Sequence, residues 1–328
     1  MFQTGLNPYG LTYWLGLQGN GTPRANPNGR GLGGFIDIAR EIGARTIELH
    51  NAWLTPMSDS DLAALGERLA SLRLLPIISF GLPWEPPGTA IRTAVALGAR
   101  VIRTPLTGVL CGDRAAKGAQ WLPMVASARN KLKQLAQDAA PAGVSVAIEN
   151  HQDFGSRELL DFCAEAGSNV GICFDTGNTF AVAEAPTEFA RRVAHRVRHV
   201  HLKDYRAQWT DEGYRLVRCA IGDGAVPFRE IAKILLQHHD TLTASLESGA
   251  LEARHVRLFT PDWWAGYAPM PASELAVCLA AARHNRIADE ADYRTPWEQG
   301  ADSDVLIGYE LDMIRRSAAN MKAIGLMT

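Results

Sequence analysis

The chain has 328 residues, is 47% hydrophobic and 21% charged, and carries a formal net charge of −2. That composition supports a core of ordinary size, while the near-neutral charge without a Lys/Arg run argues against a nucleic-acid or acidic-membrane partner. No apolar run approaches the roughly 20 residues that cross a bilayer.

The N-terminal stretch "MFQTGLNPYG" has neither the basic nor the apolar segment of a secretion signal. The five cysteines are scattered and never form a CxxC pair, so a cytoplasmic protein with reduced thiols is expected.

Short apolar runs alternate with longer segments of helical period. The first expected strand is "LTYWLGL" at 11–17, followed by a polar loop and a helix over 33–44. Strands expected over 45–53, 74–82 and 99–106 are followed by helices over 58–73, 87–98 and 121–140. Strands over 144–150, 170–178 and 197–205 are followed by helices over 156–166, 186–196 and 227–238. The eighth strand is "LTASLES" at 242–248, and the last helix lies near 306–324. Helices between strands imply parallel strands with right-handed crossovers. Eight such units predict an α/β fold, a closed (β/α)8 TIM barrel, as one domain over 1–328. The competing open sheet needs a tight glycine turn after its first strand; the loop "LQGNGTPRANPNGRGLGGF" is too long and polar for one.

Two insertions follow strands seven and eight. The first, 206–228, has a hairpin expected around Asp211–Gly213. The second, about 249–305, contains "PDWWAGY" and reads as a lid or an interface. Both belong to the C-terminal face of a barrel, where active sites form.

Four strands end in a strong metal ligand: Glu149, Asp175, His201 and Glu247. The first two separations match one strand–helix unit each, and the third is one unit plus the 206–228 insertion. Residues two apart share a strand face, which places Ala147, Cys173 and Ser245 beneath the carboxylates and turns Ile148, Phe174 and Leu246 outward. Three carboxylates gathered in a desolvated site repel one another. A divalent cation holds them together. An oxygen-rich set with one imidazole suits Mn²⁺ first, with Mg²⁺, Co²⁺ and Zn²⁺ also admissible.

The segments "IENH" (148–151), "FDTGN" (174–178), "VHLKD" (200–204), "IGDGAVPF" (221–228) and "SLES" (245–248) resemble the xylose-isomerase-like barrel superfamily, the sugar phosphate isomerases/epimerases. The resemblance implies a metal-dependent isomerase or epimerase of a carbonyl sugar or cyclitol, working by proton abstraction next to the carbonyl through a metal-stabilised enediolate. It also implies that Glu149 and Glu247 both bind the metal and exchange the proton. Relatives of the group include inosose dehydratases and the large subunits of C-glycoside deglycosidases, which act with a small partner subunit. A lyase acting by β-elimination is therefore the alternative, and either a homo-oligomer or a small partner subunit is compatible. Endonuclease IV relatives need more histidines and a basic groove, which this chain lacks.

Other residues carry open assignments. His151 is a catalytic base, an orienting group or a hydrogen-bond partner of a ligand carboxylate. Lys203 either polarises a substrate oxygen or pairs with Asp175 or another carboxylate. Arg206 is a candidate for a substrate hydroxyl or anion, and Trp263 for stacking on a sugar. His50, with Glu48, lies near the mouth of strand two. Asn178 stands where ketose epimerases tend to carry a histidine.

Overall fold

The computed structural model describes residues 1–328. Its strands, in chain order, are β1 (Phe2–Leu6), β2 (Thr46–His50), β3 (Leu75–Ser79), β4 (Val101–Thr104), β5 (Ser145–Glu149), β6 (Val170–Asp175), β7 (Val197–Leu202), β8 (Tyr205–Thr210), β9 (Gly213–Arg218), β10 (Leu242–Leu246) and β11 (Arg254–Val256). Eight of them close into a parallel barrel in the order β1-β10-β7-β6-β5-β4-β3-β2, the (β/α)8 arrangement. The other three form a separate antiparallel sheet, β11-β9-β8.

The helices are α1 (Gly31–Glu41), α2 (Asn51–Leu54), α3 (Asp59–Ser71), α4 (Pro87–Leu97), α5 (Trp121–Ala139), α6 (Ser156–Ala166), α7 (Pro186–Val193), α8 (Phe228–Leu236), α9 (Ala272–Ala282) and α10 (Ser303–Ala323). Local chemistry sets their ends. Ser58 and Asp61 form a capping box at the start of α3. Proline occupies the first turn of α4 and α7, where its missing N–H costs nothing.

The first strand departs from the sequence expectation. β1 is Phe2–Leu6, paired in register with Leu242–Leu246 of β10. It is short and half polar, so it is less conspicuous than the apolar segment 11–17 after it. That segment is not a strand. Leu11, Tyr13 and Leu15 are buried, and the Tyr13 and Trp14 amides donate to the Glu310 carboxylate of α10. Gly5 lets β1 approach its neighbour, because a β-carbon there would run into the Thr46 carbonyl of β2.

Strand alternation is as expected on the site side. Ile148, Phe174 and Leu246 join the main core between strands and helices. Ala147 and Cys173 instead cluster with Ile77 and Val101 on the inner face. The expected hairpin at Asp211–Gly213 is the turn between β8 and β9. The 249–305 insertion begins with β11, which pairs with β9, so the two insertions share one sheet. No helix is long and apolar enough to cross a membrane.

Candidate metal and substrate site

Glu149 ends β5, Asp175 ends β6, His201 lies in β7, and Glu247 follows β10. All four are buried, and one ligand atom from each lies within 4.8 Å of the others. The His201 Nδ1 atom is 2.8 Å from Glu247 Oε2, 3.2 Å from Glu149 Oε1 and 3.9 Å from Asp175 Oδ2.

Cations surround this cluster. Lys203 Nζ is 2.7 Å from Asp175 Oδ2 and 2.5 Å from Glu247 Oε1. Of its two candidate roles, pairing with carboxylates is the one the geometry displays. Arg103 of β4 pairs with Glu149 and donates to Ser79. Glu48 of β2 lies 2.8 Å from His201 Nε2 and 3.3 Å from His199 Nε2.

The motif residues between the ligands lock the strand ends. Asn150 donates to the Asp175 carbonyl and accepts from the Asp175 amide, both at 2.7 Å. The Thr176 hydroxyl donates to the Lys203 carbonyl and accepts from the Lys203 amide. The Asp204 carboxylate accepts the amides of Tyr205, Gly222, Gly224 and Val226. Gly224 is needed there, since a β-carbon would strike the Asp204 carboxylate. The polar run 149–153 that ends β5 thus divides between the site (Glu149, His151) and backbone ties (Asn150, Gln152, Asp153).

Burial and charge set the titration. Burial opposes ionisation of Glu48, but His201 and His199 hold its pKa well below the usual carboxylate value. Burial likewise opposes Glu247, and Lys203 and His201 outweigh it, so that carboxyl is lowered too. Asp175 is raised by burial despite Lys203. Burial disfavours the His201 imidazolium, yet Cys173, Glu48 and Glu247 hold its pKa well above the ordinary value. His151 is pushed down to about 3 by burial, with Arg103 and Lys203 adding to the effect.

These residues fit a divalent cation. Glu48, Glu149, Asp175 and Glu247 are four buried carboxylates against two buried permanent cations, Arg103 and Lys203. Asp175 Oδ2 and Glu247 Oε2 accept no well-directed hydrogen bond although cations lie close to them. Free acceptor lone pairs beside an imidazole nitrogen are what a metal uses.

A cavity of about 550 Å³ opens above the cluster, lined by Tyr9, His50, Trp84, Arg103, His151, Lys203, Glu247 and Arg254 among others. This size is ordinary for a small-molecule site. Of the sequence candidates, His50, His151, Lys203 and Glu247 line it. His50 is braced by the Ala52 amide and by Tyr9 Oη at 3.4 Å.

Three candidates for substrate contact do not line it. Arg206 faces outward from β8, donates to the Asn285 and Arg286 carbonyls, and lines a separate cleft with Arg218 and Arg316. Alternation is the reason: Tyr205 turns inward, so Arg206 turns out. Trp263 is fully buried, donates to the Cys111 carbonyl and stacks on Tyr267. It fastens the insertion to the loop after β4 instead of meeting a ligand. Asn178 lies behind the site, where its amide donates to Asp175 Oδ1 and its side chain accepts from Gln152 and Tyr205.

Sequence reasoning passed over Arg103 and Arg254 and gave Glu48 little weight. For Arg103 and Glu48 the signal was present: each is a charged residue inside a short apolar strand, "VIRTP" and "TIELH".

A closed (β/α)8 barrel with a buried carboxylate–histidine cluster and a cavity at its C-terminal mouth is the architecture of a barrel that acts on small molecules. The chain belongs to the xylose isomerase-like TIM barrel family, whose model matches residues 36–259. It is 25% identical over 209 residues to a 3-oxo-isoapionate decarboxylase of Pectobacterium atrosepticum, covering 62% of this chain and 72% of that protein. It is 30% identical over 131 residues to an inosose dehydratase of Clostridium botulinum, a match spanning 35% of this chain and only 43% of that protein. In structure it is similar to the D-psicose 3-epimerase of Clostridium cellulolyticum H10, with a TM-score of 0.56 at 14% identity over 90% of this chain and 93% of that one. This last likeness is one of fold.

Proposed function

We propose that the chain is a divalent-metal-dependent enzyme that removes a proton from the carbon next to the carbonyl of a sugar or cyclitol, with Glu247 as the base. The observation that carries this reading is that Glu247 both belongs to the ligand cluster and faces the cavity. Lys203 at 2.5 Å keeps that carboxylate ionised, the form that takes up a proton, while weakening it as a base. A cation held by Glu149, Asp175, His201 and Glu247, Mn²⁺ by preference, would supply Lewis-acid stabilisation of charge developing on the substrate oxygen.

Return of the proton to the neighbouring carbon from the same face makes the enzyme an isomerase. Loss of a substituent β to the carbonyl makes it a lyase. Epimerisation needs a second base on the opposite face. Glu149 does not line the cavity and is paired with Arg103, so Glu247 is the one ligand carboxylate that faces the substrate space, with the neutral imidazole of His151 beside it. Proton transfer through Glu247 alone supports a one-base reaction, and the lyase outcome also agrees with a relative named as a dehydratase.

The test is Mn²⁺-loaded protein in D₂O with ketoses, inososes and 3-keto-glucosides, followed by NMR. Deuterium entering the carbon next to the carbonyl, lost in Glu247→Gln, is expected. An accumulating isomer identifies the isomerase, and release of a β-substituent the lyase. Unchanged exchange in Glu247→Gln would exclude Glu247 as the base.

A further inference from the structure

Each cation at the cavity floor is already committed. Arg103 is matched by Glu149, and Lys203 by Asp175 and Glu247. Arg254 differs. It lines the same cavity from β11, yet it makes no ion pair and no side-chain hydrogen bond, whereas Arg114, Arg157 and Arg315 each pair with a glutamate. It is held on a strand: β11 is hydrogen-bonded to β9, with Arg254 opposite the buried Leu216, and β9 is paired with β8. β8 begins directly after the Lys203–Asp204 pair, so the guanidinium is presented from a fixed wall of the site.

A guanidinium that faces a polar cavity with its donors unspent is suited to an oxyanion, which it grips through paired N–H groups. The wall sets the charge of that anion. Glu252, two residues away, also lines the cavity and would repel a dianion. No second unpaired cation joins Arg254 there.

From this we infer that the substrate is a sugar acid, and that Arg254 binds its carboxylate at the outer wall while the carbonyl end reaches the carboxylate–histidine cluster. The inference rests on the proposed carbonyl-sugar site and adds the substrate class to it. Arg254 is here a specificity-determining group and takes no part in bond breaking.

The test uses a matched pair of probes on the Mn²⁺-loaded full chain: 5-keto-D-gluconate, whose carboxylate and carbonyl lie at opposite ends, and L-sorbose, which replaces the carboxylate by a hydroxymethyl group. Binding is followed by titration calorimetry. The acid is expected to bind roughly 10- to 100-fold tighter than the neutral sugar, the span of one charged hydrogen-bonded contact. Arg254→Ala should erase that preference, the loss falling on the acid, and Arg254→Lys should restore part of it. Arg254 is partly exposed, so both variants are expected to fold, and a thermal melt checks this. Equal affinity of the two probes for the unaltered protein, or an acid preference that survives Arg254→Ala, would overturn the inference. Tighter binding of L-sorbose 6-phosphate than of the acid would also overturn it, in favour of a phosphate. Failure of the underlying site reading has a different signature: probe binding unaffected by both Glu247→Gln and Mn²⁺ removal.

Discussion

Glu48 Oε2 lies 2.8 Å from His201 Nε2, and the opposite nitrogen of the same ring points at Glu149, Asp175 and Glu247. The carboxylate of β2 therefore fixes which imidazole nitrogen is offered to a cation and raises its basicity. Glu48→Gln should lower Mn²⁺ affinity by roughly 10- to 100-fold, measured by calorimetry on chelator-stripped protein. Unchanged affinity would show that Glu48 is a packing residue only.

On the proposed reading, metal and proton compete for His201. Its pKa is held above the ordinary imidazole value in the metal-free cluster, so a proton must leave Nδ1 before a cation binds there. Metal affinity should fall as pH is lowered, by up to about tenfold per unit. Stability of the metal-free protein should behave differently. A raised His201 pKa contributes stability that is complete below about pH 6.5 and is lost as pH rises through the folded value. The lowered Glu48 pKa contributes stability present above about pH 4.3 and lost as pH falls through its folded value. Metal-free protein should be most stable between these limits. Saturating Mn²⁺ at a hundredfold excess over Kd should add about 2.7 kcal/mol. Thermal melts against pH, with and without Mn²⁺, test both statements.

Lys203 bridges two ligand carboxylates, and breaking a buried pair costs about 3 to 5 kcal/mol. Lys203→Met should destabilise the metal-free protein by that order. Mn²⁺ should recover more stability in the variant than in the unaltered chain, because the cation replaces the lost charge. Equal Mn²⁺ gains in both proteins would count against a shared electrostatic role. Denaturant titrations at two metal concentrations provide the comparison.

Trp263 is buried beneath the insertion and is fastened to the Cys111 carbonyl, while Arg114, paired with Glu158, stacks on Tyr267 beside it. Trp263→Ala should cost about 3 to 5 kcal/mol in stability, read by denaturant unfolding. Mn²⁺ affinity of the folded variant should be unchanged, since Trp263 does not line the cavity. A large loss of metal affinity without loss of stability would place Trp263 in the site after all.

The barrel was legible because its signal is local. A strand run followed by a helical run is visible within about 30 residues, and seven of the eight barrel strands fall where the rhythm put them. β1 escaped because Phe2–Leu6 is partly polar, and its pairing partner, β10, lies at the far end of the chain. The gathering of Glu149, Asp175, His201 and Glu247 was legible for the same reason, since each marks the end of its own strand. Arg103 and Arg254 were not, because what an arginine pairs with depends on neighbouring strands and on insertions distant in sequence. Trp263 was misleading in a different way. An aromatic cluster in a loop has the same sequence whether it faces a ligand or the underside of its own loop.

The antiparallel sheet β11-β9-β8 carries one more implication. In such a sheet a shift of one residue exchanges the two faces, so a slip of β11 along β9 would send Arg254 to solvent and bring His255 to the cavity wall. Charge preference at the outer wall would then change without any substitution of a barrel residue. Insertions that lengthen the turn at Asp211–Gly213 would leave Arg254 in place, whereas those within 250–253 would move it. Length variation near β11 is therefore a route by which a barrel with this carboxylate–histidine floor could be retuned to a new ligand.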